Sequence, residues 1–189
     1  MSPARLNALT DGVVAIVMTI MVLELKIPAE ATLQAVLAVL PLLAAYLLAF
    51  INVAIYWNNH HHMMQSARKV TGGVLWANHA LLFFLTLFPL MIRWIDDAGI
   101  TPWPVASFGF VLVASAISYQ LLERALIHAE GESSAVKRAV GAGAKELISF
   151  ALYVASVPAA FISPYISVAI FISVSIAWLV PDRRFEPKD

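Results

Sequence analysis

The feature that most constrains this chain is the recurrence of apolar runs long enough to cross a bilayer. Six follow one another along 189 residues, separated by short polar breaks. A helix rises about 1.5 Å per residue, so about twenty apolar residues span the hydrocarbon. Within hydrocarbon each backbone N–H and C=O needs a partner inside its own segment, which for such runs means a helix. The expected fold is all-α: a polytopic membrane protein with six transmembrane helices in a single domain covering residues 1–189. The expected spans are Leu6 to Ile27, Leu33 to His60, Gly73 to Trp94, Val105 to Leu126, Glu146 to Ile162 and Ser163 to Val180. Pro28 stops the first, Pro41 lies near the start of the second, "TPWP" opens the fourth and Pro181 ends the sixth. Between the last two stands "PAAFISPYIS", read as a turn or as a kink; a kink leaves five spans and moves the C-terminus to the other side.

Charge favours six. With the N-terminus in the cytoplasm, Arg5, Arg68, Lys69, Arg124, Lys137, Arg138, Lys145, Arg183, Arg184 and Lys188 all fall inside, and only Lys26 and Arg93 outside. That is the positive-inside pattern. Trp94 and Trp103 flank the outer loop that carries Asp96 and Asp97, as interfacial anchors do. The stretch from Ile127 to Gly143 reads as a solvated cytoplasmic connection, partly helical. Only 13% of residues are charged and the net charge is zero, which argues against a nucleic-acid partner. The absence of cysteine excludes disulfides and thiolate chemistry. Asp11 interrupts the charged-then-apolar order of a signal peptide, and Glu24 and Lys26 precede its A-x-A triplet at Ala29 and Ala31; cleavage is not expected, and the expected location is a bacterial inner membrane with both termini cytoplasmic.

The first span, "RLNALTDGVVAIVMTIMVLEL", carries two carboxylates, Asp11 and Glu24. At about 100° per residue, with Ile16 at zero, Ile20 falls near +40°, Leu23 near −20° and Ile27 near +20° on the helical wheel. Thr19 sits at about −60°, on the edge of this aliphatic stripe, and Asp11 at about −140°, well away from it. Periodicity alone does not separate a lipid-facing stripe from a pore-facing one. The carboxylate adds a constraint, since an acid in a spanning segment is costly and faces a bundle interior or water. Asp11 therefore needs donors from other helices. Two polar clusters lie at matching depth: Trp57, Asn58, Asn59, His60, His61 and His62 at the end of the second span, and Trp76, Asn78 and His79 at the start of the third. Their indole, amide and imidazole N–H groups can all donate to a carboxylate. For Glu24, near +80° on the wheel at about 100° per residue, two readings stand: a charge at the outer mouth, or a salt bridge with Lys26 or interfacial solvation.

Other chemistries find less support. Consecutive histidines point about 100° apart on a helix, and no acidic or histidine partner stands at i+3 or i+4 from His60, His61 or His62, so no metal or other cofactor is expected. An interfacial cluster, or a pH-sensing one, remains for this run. Ser163, Ser167, Ser173 and Ser175 have no histidine or acid nearby in sequence and read as small helix-packing residues rather than nucleophiles, so no enzyme is expected. A secondary transporter or proton-conducting protein built around Asp11 is the alternative function, although paired halves and broken midplane helices are not evident.

The opening resembles the bacterial branch of the transmembrane protein 175 family of potassium channels, whose signature is Arg, three residues, Phe-Ser-Asp and a helix reading roughly A-I-x-x-T-L-L-V-L. Here stand Arg5, then Leu9-Thr10-Asp11, then "AIVMTIMVLEL"; Leu9 replaces Phe and Thr10 replaces Ser, each keeping chemical type. "YWNNHH" and "LWANHALLF" extend the likeness over residues 5 to 90. The resemblance implies a homotetramer of six-span subunits without a re-entrant pore loop, and no T-V-G-Y-G filter is present. It implies that the first helix lines a central pore, with Ile16, Ile20 and Leu23 as hydrophobic gate and Thr19 at the selectivity position. It further implies a structural network joining Arg5, Leu9, Thr10 and Asp11 to His60, Trp76 and Asn78. The implied activity is passive conduction of cations, weakly selective for potassium, with further copies of the chain in a homotetramer and the lipid bilayer as partners.

Overall fold

The computed structural model describes residues 2–26, 28–131, 134, 136–137 and 143–179 of the chain. Ile27, Arg138, Val180, Pro181, Arg183, Arg184 and Lys188, on which some expectations rested, lie outside the described residues. Every regular element among them is a helix.

Helix α1 runs Pro3–Leu23, with Pro3 in its first turn, where a missing N–H costs nothing. It ends four residues before the expected Ile27, with Glu24 as its C-cap, whose N–H still reaches the Met21 and Val22 carbonyls. Helix α2, Leu33–Ser66, is capped by the Thr32 hydroxyl, which accepts from the Ala35 N–H at 3.1 Å. It passes the expected end at His60 by a turn and a half, since no glycine or proline stops the run before Gly72. Its 34 residues make a rod of about 51 Å, longer than the hydrocarbon is thick.

The third span is broken. Helix α3, Gly72–Leu85, and helix α4, Phe88–Ala98, meet at a turn over Thr86 and Leu87. Pro89 explains the break: it has no N–H for the Leu85 carbonyl, and its ring crowds that carbonyl. The Thr86 hydroxyl donates to the Phe83 carbonyl at 2.7 Å and tightens the turn. Helix α4 closes on Gly99, whose φ of 73° suits glycine alone at low cost. Helix α5, Pro102–Glu130, follows directly. It is the most enclosed helix, burying Phe108, Val111, Leu112, Leu122 and Leu126 among others. Gly109 lets it approach closely: a Cβ there would stand 3.0 Å from Ser156 Oγ and 3.2 Å from Phe171 Cζ.

Helix α6, Ala144–Ile162, and helix α7, Pro164–Leu179, are separate helices. Ser163 between them is extended, at φ −157° and ψ 121°. Two bonds show that the chain reverses there: Ser167 Oγ donates to the Ser156 carbonyl at 2.6 Å, and Trp178 Nε1 donates to Ser149 Oγ at 2.9 Å. The "PAAFISPYIS" stretch is thus a turn of an antiparallel hairpin. The protein is an all-α integral membrane protein with five helical runs long and apolar enough to cross a bilayer, and a sixth, shorter apolar helix, α7.

Around α5 pack α3, α4, α6 and α7, while α1 lies against α2, α3 and α4 at one side of the bundle. Asn52 of α2 ties the far side together, donating to Ser175 Oγ at 3.0 Å and accepting from Tyr153 OH at 3.2 Å.

Candidate functional site on the first helix

Helix α1 has two faces. Leu6, Thr10, Val14, Val17 and Met21 are buried in the subunit. At about 100° per residue they occupy an arc centred near +120° on the wheel used above. A separate arc, centred near +10° at about 100° per residue, holds Ile16, Ile20 and Leu23, which are 58%, 40% and 78% exposed. These branched aliphatics therefore have no partner within their own subunit that covers them. Thr19 shares the exposed face, and its hydroxyl turns back on the helix, toward the Ala15 carbonyl at 3.0 Å and the Ile16 carbonyl at 2.9 Å. Its one proton is thereby engaged, and the oxygen's remaining lone-pair capacity is left for the exposed side.

The buried face is fixed by a polar cluster. Asn78 of α3 is fully buried; its Nδ2 donates to Thr10 Oγ1 at 3.1 Å, and Thr10 Oγ1 in turn donates to the Leu6 carbonyl at 3.1 Å. The other end of the same amide, Asn78 Oδ1, lies 2.8 Å from His60 Nε2 of α2. An amide oxygen only accepts, so His60 carries its proton on Nε2, and its Nδ1 has no partner among the described residues. One asparagine thus fastens α1, α2 and α3 to one another.

Asp11 belongs to a second, half-buried cluster on the flank. Its Oδ1 accepts from Trp57 Nε1 at 2.8 Å and its Oδ2 from Asn7 Nδ2 at 3.0 Å. The Trp57 ring stacks on His61, with centroids 5.6 Å apart. The acid is therefore held by α2 and by its own helix. Of the residues expected to act together, the structure brings Thr10, His60 and Asn78 into direct contact and sets Asp11 beside them. It does not bring in Trp76, whose ring is 78% exposed and tilts against His79 at 6.0 Å. Arg5 and Leu9 stand on the exposed side of α1. Trp57 and Asn7 carry the contacts to the acid that the motif match left unassigned. Their signal was present: Asn7 precedes Asp11 by one helical turn, and Trp57 precedes His60 by three residues on the same face of α2.

At the far end of α1 the charges pair across helices. Glu24 Oε2 accepts from Arg93 Nη1 at 3.2 Å, rather than from Lys26. Arg93 Nε also donates to Asp97 Oδ2 at 2.9 Å, while Lys26 Nζ reaches Asp97 at 2.6 Å and Asp96 at 3.1 Å. These bonds to Asp97 first and Asp96 second hold the Lys26 ammonium pKa above its ordinary value. Between this network and the break in the third span, Val13, Ile16, Ile20, Thr86, Pro89 and Leu90 line an open cleft on the exposed side of α1. No three His, Asp or Glu side chains among the described residues come together as metal ligands.

The sequence pattern of a known family, described as the endosomal/lysosomal potassium channel TMEM175, matches residues 5–89, the part of the chain that contains α1 and the polar clusters. A potassium channel of Chryseobacterium sp. (strain P1-3) is 45% identical over 98% of this chain and 97% of its own length. One of Streptomyces collinus is 27% identical over 62% of this chain and 61% of its own. The crystal structure of a lysosomal potassium-selective channel TMEM175 homolog from Chamaesiphon minutus superposes with a TM-score of 0.83, covering 98% of each chain at 23% identity, a likeness of fold. The 45% identity to the Chryseobacterium channel over nearly its whole length, together with the match across the first three spans, places this chain in the TMEM175 family of potassium channels.

Proposed function

We propose that this chain is the subunit of a homotetrameric, passive potassium channel whose pore is lined by the exposed face of α1. The observation that carries the reading is the division of α1 into a face buried in its own subunit and a face bearing Ile16, Ile20 and Leu23 that the subunit leaves open. A subunit of this size encloses no axis of its own, so one helix lines a pore only when several copies meet. Four copies of Ile16, Ile20 and Leu23 then form rings narrower than a hydrated ion, which block by dewetting because the ion loses water without gaining ligands. Thr19 contributes an oxygen beside these rings and biases selectivity weakly toward potassium. Asp11, with both oxygens bonded and off the exposed arc, is a fastener rather than a carrier of ions. The end of the bundle bearing Arg5, Arg68, Arg124 and Lys145 faces the cytoplasm of a bacterial cell.

The test is bilayer recording with potassium on one side and sodium on the other. A reversal potential displaced toward the potassium equilibrium value supports the reading; absence of ohmic current refutes it. Ile16→Asn wets the proposed gate and raises conductance or alters selectivity, and currents identical to the parent channel would remove Ile16 from the pore.

A further inference from the structure

On the side of the bundle away from α1, a half-open cavity of about 60 Å³ lies among α2, α5, α6 and α7. Tyr56, Tyr119, Phe150, Tyr153 and Trp178 are among the residues of its wall. Five aromatic rings line one small space, and ring faces carry negative quadrupole potential that attracts cations. Two amides complete the wall, Asn59 of α2 and Gln120 of α5, and neither makes a side-chain hydrogen bond to a described residue. Each therefore offers a carbonyl oxygen as acceptor. Glu146, in the first turn of α6, adds negative charge at the mouth. One of these rings already engages a cation: the Lys145 ammonium stands 4.4 Å from the centroid of the Trp178 ring. An alkyl ammonium from the chain itself already rests on one of the lining aromatics.

We propose that this cavity is a binding site for the ammonium head of a small organic amine, held against the rings of Tyr56, Tyr119 and Trp178 and by hydrogen bonds to the amide oxygens of Asn59 and Gln120. The cavity is small and open on one side, so it suits a small primary ammonium head, with any longer tail leaving by the open side. The site also bears on the pore helix. Asn52, Tyr56 and Asn59 present one face of α2 to the cavity, while Trp57 and His60, one residue on from Tyr56 and Asn59, hold Asp11 and Asn78 on the α1 side. Occupation of the cavity therefore acts on the helix that anchors α1; this consequence, unlike binding itself, rests on the channel reading.

The experiment uses the full-length protein in lipid nanodiscs in sodium buffer, with ethylammonium as probe and ethanol as its neutral counterpart, and binding read by saturation-transfer NMR. Saturable ethylammonium binding, with ethanol at least fivefold weaker, is expected. Gln120→Leu and Trp178→Leu should each weaken ethylammonium at least fivefold at unchanged melting temperature. Should Trp178→Leu fail to fold, Gln120→Leu and Asn59→Leu carry the same test. No saturable binding, equal binding of ethanol, or binding unchanged in Gln120→Leu overturns the proposal. In recordings, modulation through this site disappears in Gln120→Leu, whereas direct block of the pore by ethylammonium persists there and is altered by Ile16→Asn. A channel that carries no current would defeat the functional reading and leave the binding result standing.

Discussion

Asn78→Leu is the substitution that most directly tests how α1 is held. The side chain is fully buried, and leucine keeps its heavy-atom branching while replacing the amide by bulkier methyls, so a packing cost adds to the polar one. The polar cost arises in the cluster. Thr10 loses the amide donor at 3.1 Å but keeps the Leu6 carbonyl as its own acceptor, a loss of about 0.5–1.5 kcal/mol. His60 fares worse: its Nε2–H loses an acceptor at 2.8 Å, and a buried unsatisfied donor costs about 1–3 kcal/mol. Interhelical hydrogen bonds within bilayers average nearer 0.6 kcal/mol, because the unfolded chain in lipid also finds partners, so the lower halves of these ranges are the better guide. The polar sum expected is about 2 kcal/mol, dominated by the stranded imidazole. Adding His60→Phe to Asn78→Leu removes the stranded donor and recovers about 1 kcal/mol of that loss. The assay is reversible unfolding of the purified protein in mixed micelles, run on the two single variants and the double. A loss below about 0.5 kcal/mol for Asn78→Leu, or strict additivity of the two substitutions, would show that the amide does not bridge the three helices.

Thr19→Val keeps shape and removes the hydroxyl; potassium-over-sodium selectivity in bilayer recordings should fall while Thr19→Ser retains it. Arg93→Gln releases Glu24 and Asp97 from their shared cation, so inward potassium conductance should rise at low ionic strength and return to the parent value in molar salt, where exposed charges are screened. Outer pH between 5 and 8 should leave Lys26 in its bonds: its folded pKa lies above the ordinary lysine value, so the pairing with Asp97 and Asp96 holds through this range and is lost only as alkaline pH passes that raised value, a loss visible as a conductance change that Lys26→Gln abolishes. Gly109→Ala should lower stability by about 1–3 kcal/mol in the same unfolding assay, because the new methyl meets Ser156 and Phe171 at 3.0 and 3.2 Å; no change would mean the α5–α6 approach is looser than described.

Much of the fold could be read from apolar run length, because the bilayer leaves few solutions. Five runs and the shorter α7 lie where the hydropathy put them. What run length does not encode is behaviour at the ends and at breaks. The extension of α2 to Ser66 depends on helix propensity beyond the hydrocarbon, and the break at Thr86–Leu87 on one missing N–H at Pro89. The α6–α7 reversal hinges on the extended Ser163 and on serine contacts eleven residues apart, which no periodicity announces. At the candidate site the wheel set Asp11 apart from the aliphatic stripe, since an angle is fixed by sequence spacing. It did not choose among the clustered indole, amide and imidazole donors, because depth along a helix places them together while rotation about the neighbouring axis decides which one points inward. Hence Trp57 rather than Trp76 meets the carboxylate, and Arg93 rather than Lys26 meets Glu24.

The two ends of α1 are held by unlike chemistry, and that bears on how α1 would move in the proposed channel. At the Thr10 end the bonds are buried and shared among three helices, so breaking one strands another. At the Glu24 end the bonds are exposed ion pairs, individually weak and exchangeable with water. Between them the aliphatic face from Ile16 to Leu23 adjoins an open cleft, and opposite that cleft α4 begins at a break in its own span. In the proposed channel the Thr10–Asn78–His60 cluster is therefore the fixed end and the outer half of α1 the part free to turn. A gate at Ile16, Ile20 and Leu23 lies on that outer half, so opening needs no rupture of the buried cluster, only rearrangement of Arg93 and its partners together with α4.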